Sequence, residues 1–168
     1  MRIEITKHAR DDAIRMVRGD GSHAFTRVPK KGPVPHDAVH YFVERGLGLS
    51  DAFWGKIAAG ARPEELAAMA KAAGHASANR AGNPHGSIVE LLQAERLVEC
   101  FEAELWSMAG GTDDAGLIAL AGIACAASRV PLPELNPAAL AAIRAPLGIF
   151  VAVWSAAPRG HVAVFDWD

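Results

Sequence analysis

Two short runs that favour β-structure flank a tight-turn signal near the start of the chain. Residues 13–18 and 22–28 are rich in β-forming side chains, and an Asp-Gly step lies between them at 20–21. An Asp-Gly step favours a tight turn with positive φ, which joins antiparallel strands. Ile3 and Ile5 alternate with charged neighbours, as in a half-buried strand. The pattern predicts an antiparallel hairpin with a common apolar face.

The last residues of the chain also predict a strand. Residues 161–167, HVAVFDW, alternate in polarity after a turn at 158–160. An isolated terminal strand would leave its backbone N–H and C=O groups unpaired, so we expect it to join the N-terminal strands. The expected fold is α+β, with a small antiparallel sheet of about four strands packed against roughly five or six helices. A chain of this length predicts a single domain over residues 1–168.

Apolar residues at steps of three and four predict helices through the middle of the chain. Expected starts include Ser50 as an N-cap, a capping box from Ser87 to Glu90, and Asn136 before a proline. Residues 75–84 are expected to form a loop. The expected helices cover residues 35–46, 50–60, 63–73, 87–110, 112–127 and 136–156.

The segment 146–156 is ambiguous between helix and strand. Its apolar spacing favours a helix, whereas Pro146 should kink or restart one. Residues 151–153, Val-Ala-Val, would also fit a strand. We expect a helix, because the spacing of three and four continues from Leu140.

Composition and charge exclude several classes of protein. Of the 168 residues 51% are apolar and 21% charged, as in a globular domain, and the net charge of −2 would not hold nucleic acid or an anionic membrane. The longest apolar run, 115–127, is shorter than the about 18 residues of a membrane span. The polar N-terminus lacks a secretory pattern, so we expect a cytoplasmic protein without nucleic-acid or membrane partners.

Cys100 and Cys125 have no neighbour at zinc-ligand spacing and are expected to be reduced, buried thiols.

A pair of histidines carries the candidate chemistry. His36 and His40 lie four residues apart in a predicted helix, on one face, at the spacing that helical metal ligands use. Asp37 follows the first histidine, so the motif HDxxH is similar to HExxH, whose carboxylate is the general base on a metal-bound water. The sequence thus predicts, as one alternative, a metal-binding protein or metal-dependent hydrolase. The ion would be divalent, such as zinc, with Asp37 or Glu44 as base or as support for the ligands.

Such a site needs a third ligand. Glu44 continues the row of His36 and His40, but the outer two Cα atoms of that row are about 12 Å apart along the helix. Ligands from outside the helix would converge better. The candidates are Glu95 and Glu99 of the long predicted helix and His75 and His85 of the predicted loop.

The same residues also fit a structural role. A histidine can bond to a backbone carbonyl or a carboxylate and fix the linker to the helix, and Asp37 can favour the positive end of the helix dipole. On this alternative, which we favour from the sequence, the protein is a non-catalytic binding or regulatory module. Its alanine-rich helices would then contact a second copy of the chain or another protein. The pattern leaves open whether the role is catalytic.

Three segments carry a resemblance to known sequences: RGDGS at 18–22, HDAVHYFVE at 36–44 and FWGKIAAG at 53–60. Together they resemble a group of small uncharacterised bacterial proteins. In that group an R-x-D-G-S hairpin precedes an H-D-x-x-H-Y/F-x-V-E helix and a short aromatic-glycine helix, and a glycine-led strand ends the chain. The resemblance covers residues 13–60 and extends to 160–167. It implies this order of elements in a bacterial protein and no activity, cofactor or catalytic residue.

Overall fold

A four-stranded antiparallel sheet brings the two ends of the chain together in the computed structural model, which describes residues 1–70, 86–107 and 113–168. The strands are β1 (Arg2–Lys7), β2 (Asp11–Val17), β3 (His23–Pro29) and β4 (Val162–Asp166), in the order β3-β2-β1-β4. The expected α+β fold is confirmed. The C-terminal strand lies in the hairpin's sheet as expected, but it pairs with β1 and not with the hairpin itself.

The register of the sheet follows the alternation of its apolar residues. Ile3 lies opposite Met16 and Ile5 opposite Ile14, and all four side chains are at most 1% exposed. The β2–β3 turn closes through the amide of Gly21, which donates to the carbonyl of Arg18 at 3.0 Å. Gly21 has a φ of 83°, the left-handed conformation that the Asp-Gly step predicts.

The helices cover the inner face of the sheet. The described residues form six: α1 (His36–Leu47), α2 (Phe53–Ala58), α3 (Pro63–Ala70), α4 (Val89–Trp106), α5 (Asp114–Ala127) and α6 (Pro137–Ala156). A short 3-10 turn, Gly86–Ile88, precedes α4. The helix α1 packs against α4 and α6, and α5 packs against α4. Val39 and Val43 of α1 are fully buried in the same core cluster as Ile3 and Ile5.

The ambiguous segment 146–156 is helical. The helix α6 runs through Pro146 without interruption and begins as predicted, with Asn136 Oδ1 accepting from the Ala139 amide at 3.0 Å. An interior proline costs about 3 kcal/mol, whereas each large apolar side chain buried contributes about 1.5–3 kcal/mol. Five apolar side chains of α6 are buried at steps of three and four, which outweighs the proline: Leu140, Ile143, Leu147, Phe150 and Trp154.

The helix α6 is also long and apolar enough to cross a membrane, whereas the sequence had suggested no membrane span. Its buried stripe packs against α1. A mostly buried core helix of a globular domain meets the same length and composition test, but the apolar window of α6 is only 28% buried. Within the described parts of the chain, Cys100 and Cys125 are buried and not joined to each other, as expected.

Two predicted helix starts are wrong. The helix α2 begins at Phe53 with Ala52 as its N-cap, because the Glu44 carboxylate accepts from the Trp54 amide at 2.9 Å and replaces a cap from Ser50. The helix α4 begins at Val89 without a side-chain cap. Glu90 of the predicted capping box accepts from the Asp51 amide instead, at 2.6 Å. The predicted loop at 75–84 and the predicted helix ends at 73 and 110 lie outside the described residues.

Candidate metal centre

Both histidines of the motif lie on the inner side of α1, near its start. Pro35 precedes the helix, and its carbonyl accepts from the amides of Ala38 and Val39. The ring of His40 is 3% exposed, and that of His36 is 34% exposed. Their ring centroids are 4.8 Å apart. The four-residue spacing therefore brings the two imidazoles into contact, as the sequence predicts.

Glu95 of α4 is the third member of the cluster. Its carboxylate lies between the two rings, with Oε2 3.2 Å from His40 Nε2 and Oε1 3.8 Å from His36 Nε2. One ligand atom from each of the three residues lies within 4.8 Å of the other two. Of the four outside candidates from the sequence, the structure thus brings Glu95 to the histidines.

The other predicted ligands do not join this cluster. Glu99 lies one turn further along α4, where it pairs with Arg96 at 2.8 Å and its side chain is 42% exposed. His75 and His85 lie outside the described residues.

The second ring nitrogen of each histidine meets a different carboxylate. His36 Nδ1 lies 3.0 Å from Glu102 Oε1, and His40 Nδ1 lies 2.9 Å from Glu44 Oε1. Glu44, fully buried, accepts from the Trp54 amide with its other oxygen. With each Nδ1–H donating to its carboxylate, the Nε2 atoms of both rings face Glu95. Glu44, a candidate base from the sequence, therefore lies behind His40 and away from Glu95.

Sequence reasoning missed Glu102, although a signal existed. Glu95 and Glu102 are seven residues apart, which on an α-helix places them within about 20° of each other. Glu99, which the sequence analysis considered, is offset from Glu95 by about 40°. The tighter alignment of the seven-residue spacing marks Glu102 as the neighbour that shares Glu95's face.

The cluster holds the histidines in their charged form when no metal is bound. Burial works against a charge on either ring, but hydrogen bonds to Glu102 and Glu95 raise the pKa of His36 to about 9. Bonds to Glu44 and Glu95 likewise raise the pKa of His40 to about 10. Burial alone would raise the pKa of Glu95, but the two histidines hold it far below its usual range. Burial raises the pKa of Glu44 despite its bond to His40.

A small cavity opens beside the three clustered side chains. Its volume is about 210 Å³, and apart from His36, His40 and Glu95 it is lined by Asp37 and by apolar side chains that include Phe53, Leu66 and Leu91. Asp37 is 8% exposed, and burial raises the pKa of its carboxyl group. The cavity leaves room for a further ligand, such as water, next to the two Nε2 atoms.

Comparisons of the chain with protein-family models, with curated proteins and with solved structures found no match.

Proposed function

We propose that this protein binds a divalent transition metal ion, with zinc as the expected ion. The ligands are Nε2 of His36, Nε2 of His40 and the carboxylate of Glu95. Separations of 3.2 and 3.8 Å from the nitrogens to the Glu95 oxygens support the proposal. Ligand atoms of tetrahedral zinc, each about 2.0–2.2 Å from the ion, stand roughly 3.3–3.6 Å apart. One ligand atom from each of the three residues lies within 4.8 Å of the other two, so the side chains must move closer together to contact one ion.

The orientation of the two imidazole rings carries the proposal. Each Nδ1 bonds to a carboxylate of its own, Glu102 or Glu44, and each Nε2 faces the shared carboxylate of Glu95. Metal-binding histidines are held in this way, because the outer carboxylate fixes the tautomer in which Nε2 has a free lone pair.

The charge of the cluster supports a divalent ion in particular. Without metal, both rings carry a proton at neutral pH, because their pKa values are about 9 and about 10. Exchanging those two protons for one doubly charged ion leaves the total charge unchanged. A buried site tolerates such an exchange, whereas an added or missing buried charge is costly.

Isothermal titration with zinc chloride tests the proposal. We expect one ion per chain for the native protein. For His40→Ala and Glu95→Gln we expect zinc binding to be about 10- to 100-fold weaker. His23→Ala is the matched control, because His23 is exposed on β3, and it should bind zinc as the native protein does. Absence of zinc binding to the native protein, or equal affinity in all four proteins, would overturn the proposal.

A second candidate function is a non-catalytic binding or regulatory module in the bacterial cytoplasm, without nucleic-acid or membrane partners. Ile123 of α5 and Ile149 of α6, each 69% exposed, favour it. Exposed large apolar side chains occur where proteins contact one another, in this case a second copy or another protein. Light scattering over a range of protein concentrations tests for association with a second copy of the chain. A mass of one chain at every concentration would contradict that association.

A further inference from the structure

The side of α6 opposite its buried stripe is apolar and exposed. Six exposed residues form an outer row there, at alternating steps of four and three: Ala138, Ala142, Ala145, Ile149, Ala152 and Ala156. The last five each lie two positions after a residue of the buried stripe, which is about 200° around an α-helix. Ile149 is 69% exposed, and Val153 beside it is 52% exposed. Large apolar side chains therefore contact water along this side of α6.

The outer row carries no charge. Arg144 is the one charged residue between Glu134 and Arg159. Its guanidinium bonds to Glu104 of α4 at 2.7 Å and to Asp114 of α5. Helices whose outer side contacts water usually carry charged residues there, whereas exposed apolar patches occur where proteins bind one another. The outer row therefore has the composition of a protein contact.

We propose that α6 pairs through the outer row with the α6 of a second copy of this chain, in antiparallel orientation. The inference rests on the second candidate function, for which it names the partner and the surface, and not on the metal site. The outer row is symmetric about Leu147, with residues at distances of two, five and nine positions on either side: 145 and 149, 142 and 152, 138 and 156. A two-fold axis at the level of Leu147 therefore brings Ala142 of each copy opposite Ala152 of the other.

The spacing and the side chains of the outer row suit such a helix pair. Alternating steps of three and four are the spacing of a coiled-coil seam. Ile149 of the second copy lies over Ala145, at the edge of a groove of about 520 Å³ that Ala142 and Pro146 line. Alanine at the other positions allows the two helices to approach closely. The one large side chain of the outer row thus meets a small residue and a groove.

The charges at the ends of α6 favour the antiparallel orientation. Glu134 lies three residues before Pro137, and Arg159 lies three residues after Ala156. Both are exposed, and neither forms an ion pair among the described residues. An antiparallel pair brings Glu134 of each copy to the end of α6 where Arg159 of the other copy lies. A parallel pair would place like charges together, and it would also align the two helix dipoles unfavourably.

A membrane surface fits the outer row less well than a second copy does. Helices that lie on membranes carry Lys and Arg on their polar face and large apolar side chains on the other. Five of the six outer-row residues are alanine, and the single arginine of α6 is bonded within the fold. The net charge of −2 gives the chain no attraction to an anionic surface.

Sedimentation equilibrium of the full chain over a range of concentrations, with a chelator present, tests the pairing. One helix pair is a small interface, so we expect a dimer that dissociates on dilution. Ile149→Glu should weaken the dimer at least about 100-fold, because it buries two carboxylates in an apolar seam. Ile123→Glu is the matched control, since Ile123 of α5 is also 69% exposed, and it should dimerise as the native protein does. A native protein that is monomeric at every concentration, or an equal loss in both variants, would overturn the inference.

Disulfide cross-linking tests the orientation. A mixture of Ala142→Cys and Ala152→Cys should form a covalent dimer on oxidation, because these positions face each other across the seam. Each variant alone should not, since its two introduced thiols lie about 15 Å apart along the helix axis. The native protein is the control, because Cys100 and Cys125 are buried. Cross-linking by each variant alone, without an increase in the mixture, would contradict the antiparallel order.

Exchange of the end charges supplies a rescue test. Glu134→Arg and Arg159→Glu should each weaken the dimer at least about fivefold, because each replaces two attractive pairs by two repulsive ones. The protein with both substitutions should regain the native affinity. A double variant as weak as the single ones would overturn the assignment of the two ends.

The outcomes keep the inference apart from the other proposals. Ile149→Glu should bind zinc as the native protein does, because the proposed ligands lie on α1 and α4. A dimer that Ile149→Glu leaves unchanged would overturn the surface on α6 and retain the second candidate function. A monomer that sediments with vesicles of phosphatidylcholine and phosphatidylglycerol, but not as Ile149→Glu, would overturn the inference and assign the outer row to a lipid surface.

Discussion

At the scale of single residues, the protonation of His36 and His40 would control metal binding at the proposed site. Carboxylates from two helices face the two rings. Asp37 and Glu44 belong to α1, which also carries the histidines, and Glu95 and Glu102 belong to α4. Burial lowers the pKa of both rings, but the hydrogen bonds of His36 to Glu102 and Glu95 and of His40 to Glu44 and Glu95 outweigh it and raise the pKa of each ring in the metal-free protein. A histidine must be neutral to coordinate, so metal and protons compete for the same nitrogen atoms.

We therefore expect zinc binding to release protons and to tighten with pH. At pH 7 both rings are charged, because their pKa values are about 9 and about 10, so each zinc ion should displace nearly two protons. Affinity should then rise up to about 100-fold for each pH unit between pH 6 and 8. Calorimetry in buffers of different ionisation enthalpy counts the released protons. Binding that releases fewer than about half a proton would show that the rings are already neutral.

At the scale of elements, Glu44 joins two helices to the candidate centre. One oxygen accepts from Nδ1 of His40 on α1, and the other accepts from the Trp54 amide at the start of α2. This double role explains why the sequence predicted the wrong start for α2. Ser50 is a good N-cap by residue type, but a carboxylate from the preceding helix already satisfies the amide, and sequence patterns do not reveal caps from other elements.

Glu44→Ala should destabilise the protein markedly. It leaves two buried donors, the Trp54 amide and His40 Nδ1, without an acceptor, at about 1–3 kcal/mol each. Urea unfolding without metal measures the change in the free energy of unfolding. Glu64→Ala is the matched control, because Glu64 is an exposed residue in the first turn of α3, and its free energy of unfolding should stay within about 0.5 kcal/mol of the native value. A loss below about 1 kcal/mol for Glu44→Ala would contradict the joint role of Glu44.

At the scale of the whole molecule, the centre depends on contacts that local patterns do not encode. The Asp-Gly turn, the alternation of Ile3 and Ile5 and the four-residue spacing of the histidines are local, and each predicted its structure correctly. The contact between α1 and α4 is not local, because it arises when both helices pack in the shared core. The sequence could therefore offer Glu95 only as one of four third ligands, and the seven-residue spacing that aligns Glu102 with Glu95 does not by itself place either residue beside α1.

Because the candidate centre spans α1 and α4, metal binding should stabilise the folded chain as a whole. At the proposed site zinc would bind the folded state, in which Glu95 lies beside both histidines, and not the unfolded chain, in which His36 and His40 are 59 and 55 residues away from Glu95 along the sequence. At a free zinc concentration about 100 times the Kd, this linkage contributes about 2.7 kcal/mol. For a domain of this size that energy raises Tm by about 5–10 °C. Calorimetric melting with zinc and with a chelator measures the difference. An equal rise in the Tm of Glu95→Gln would show that the stabilising metal binds elsewhere. Loss of the rise in Glu95→Gln, with the rise retained in His23→Ala, would show that the stabilisation arises at the contact between α1 and α4.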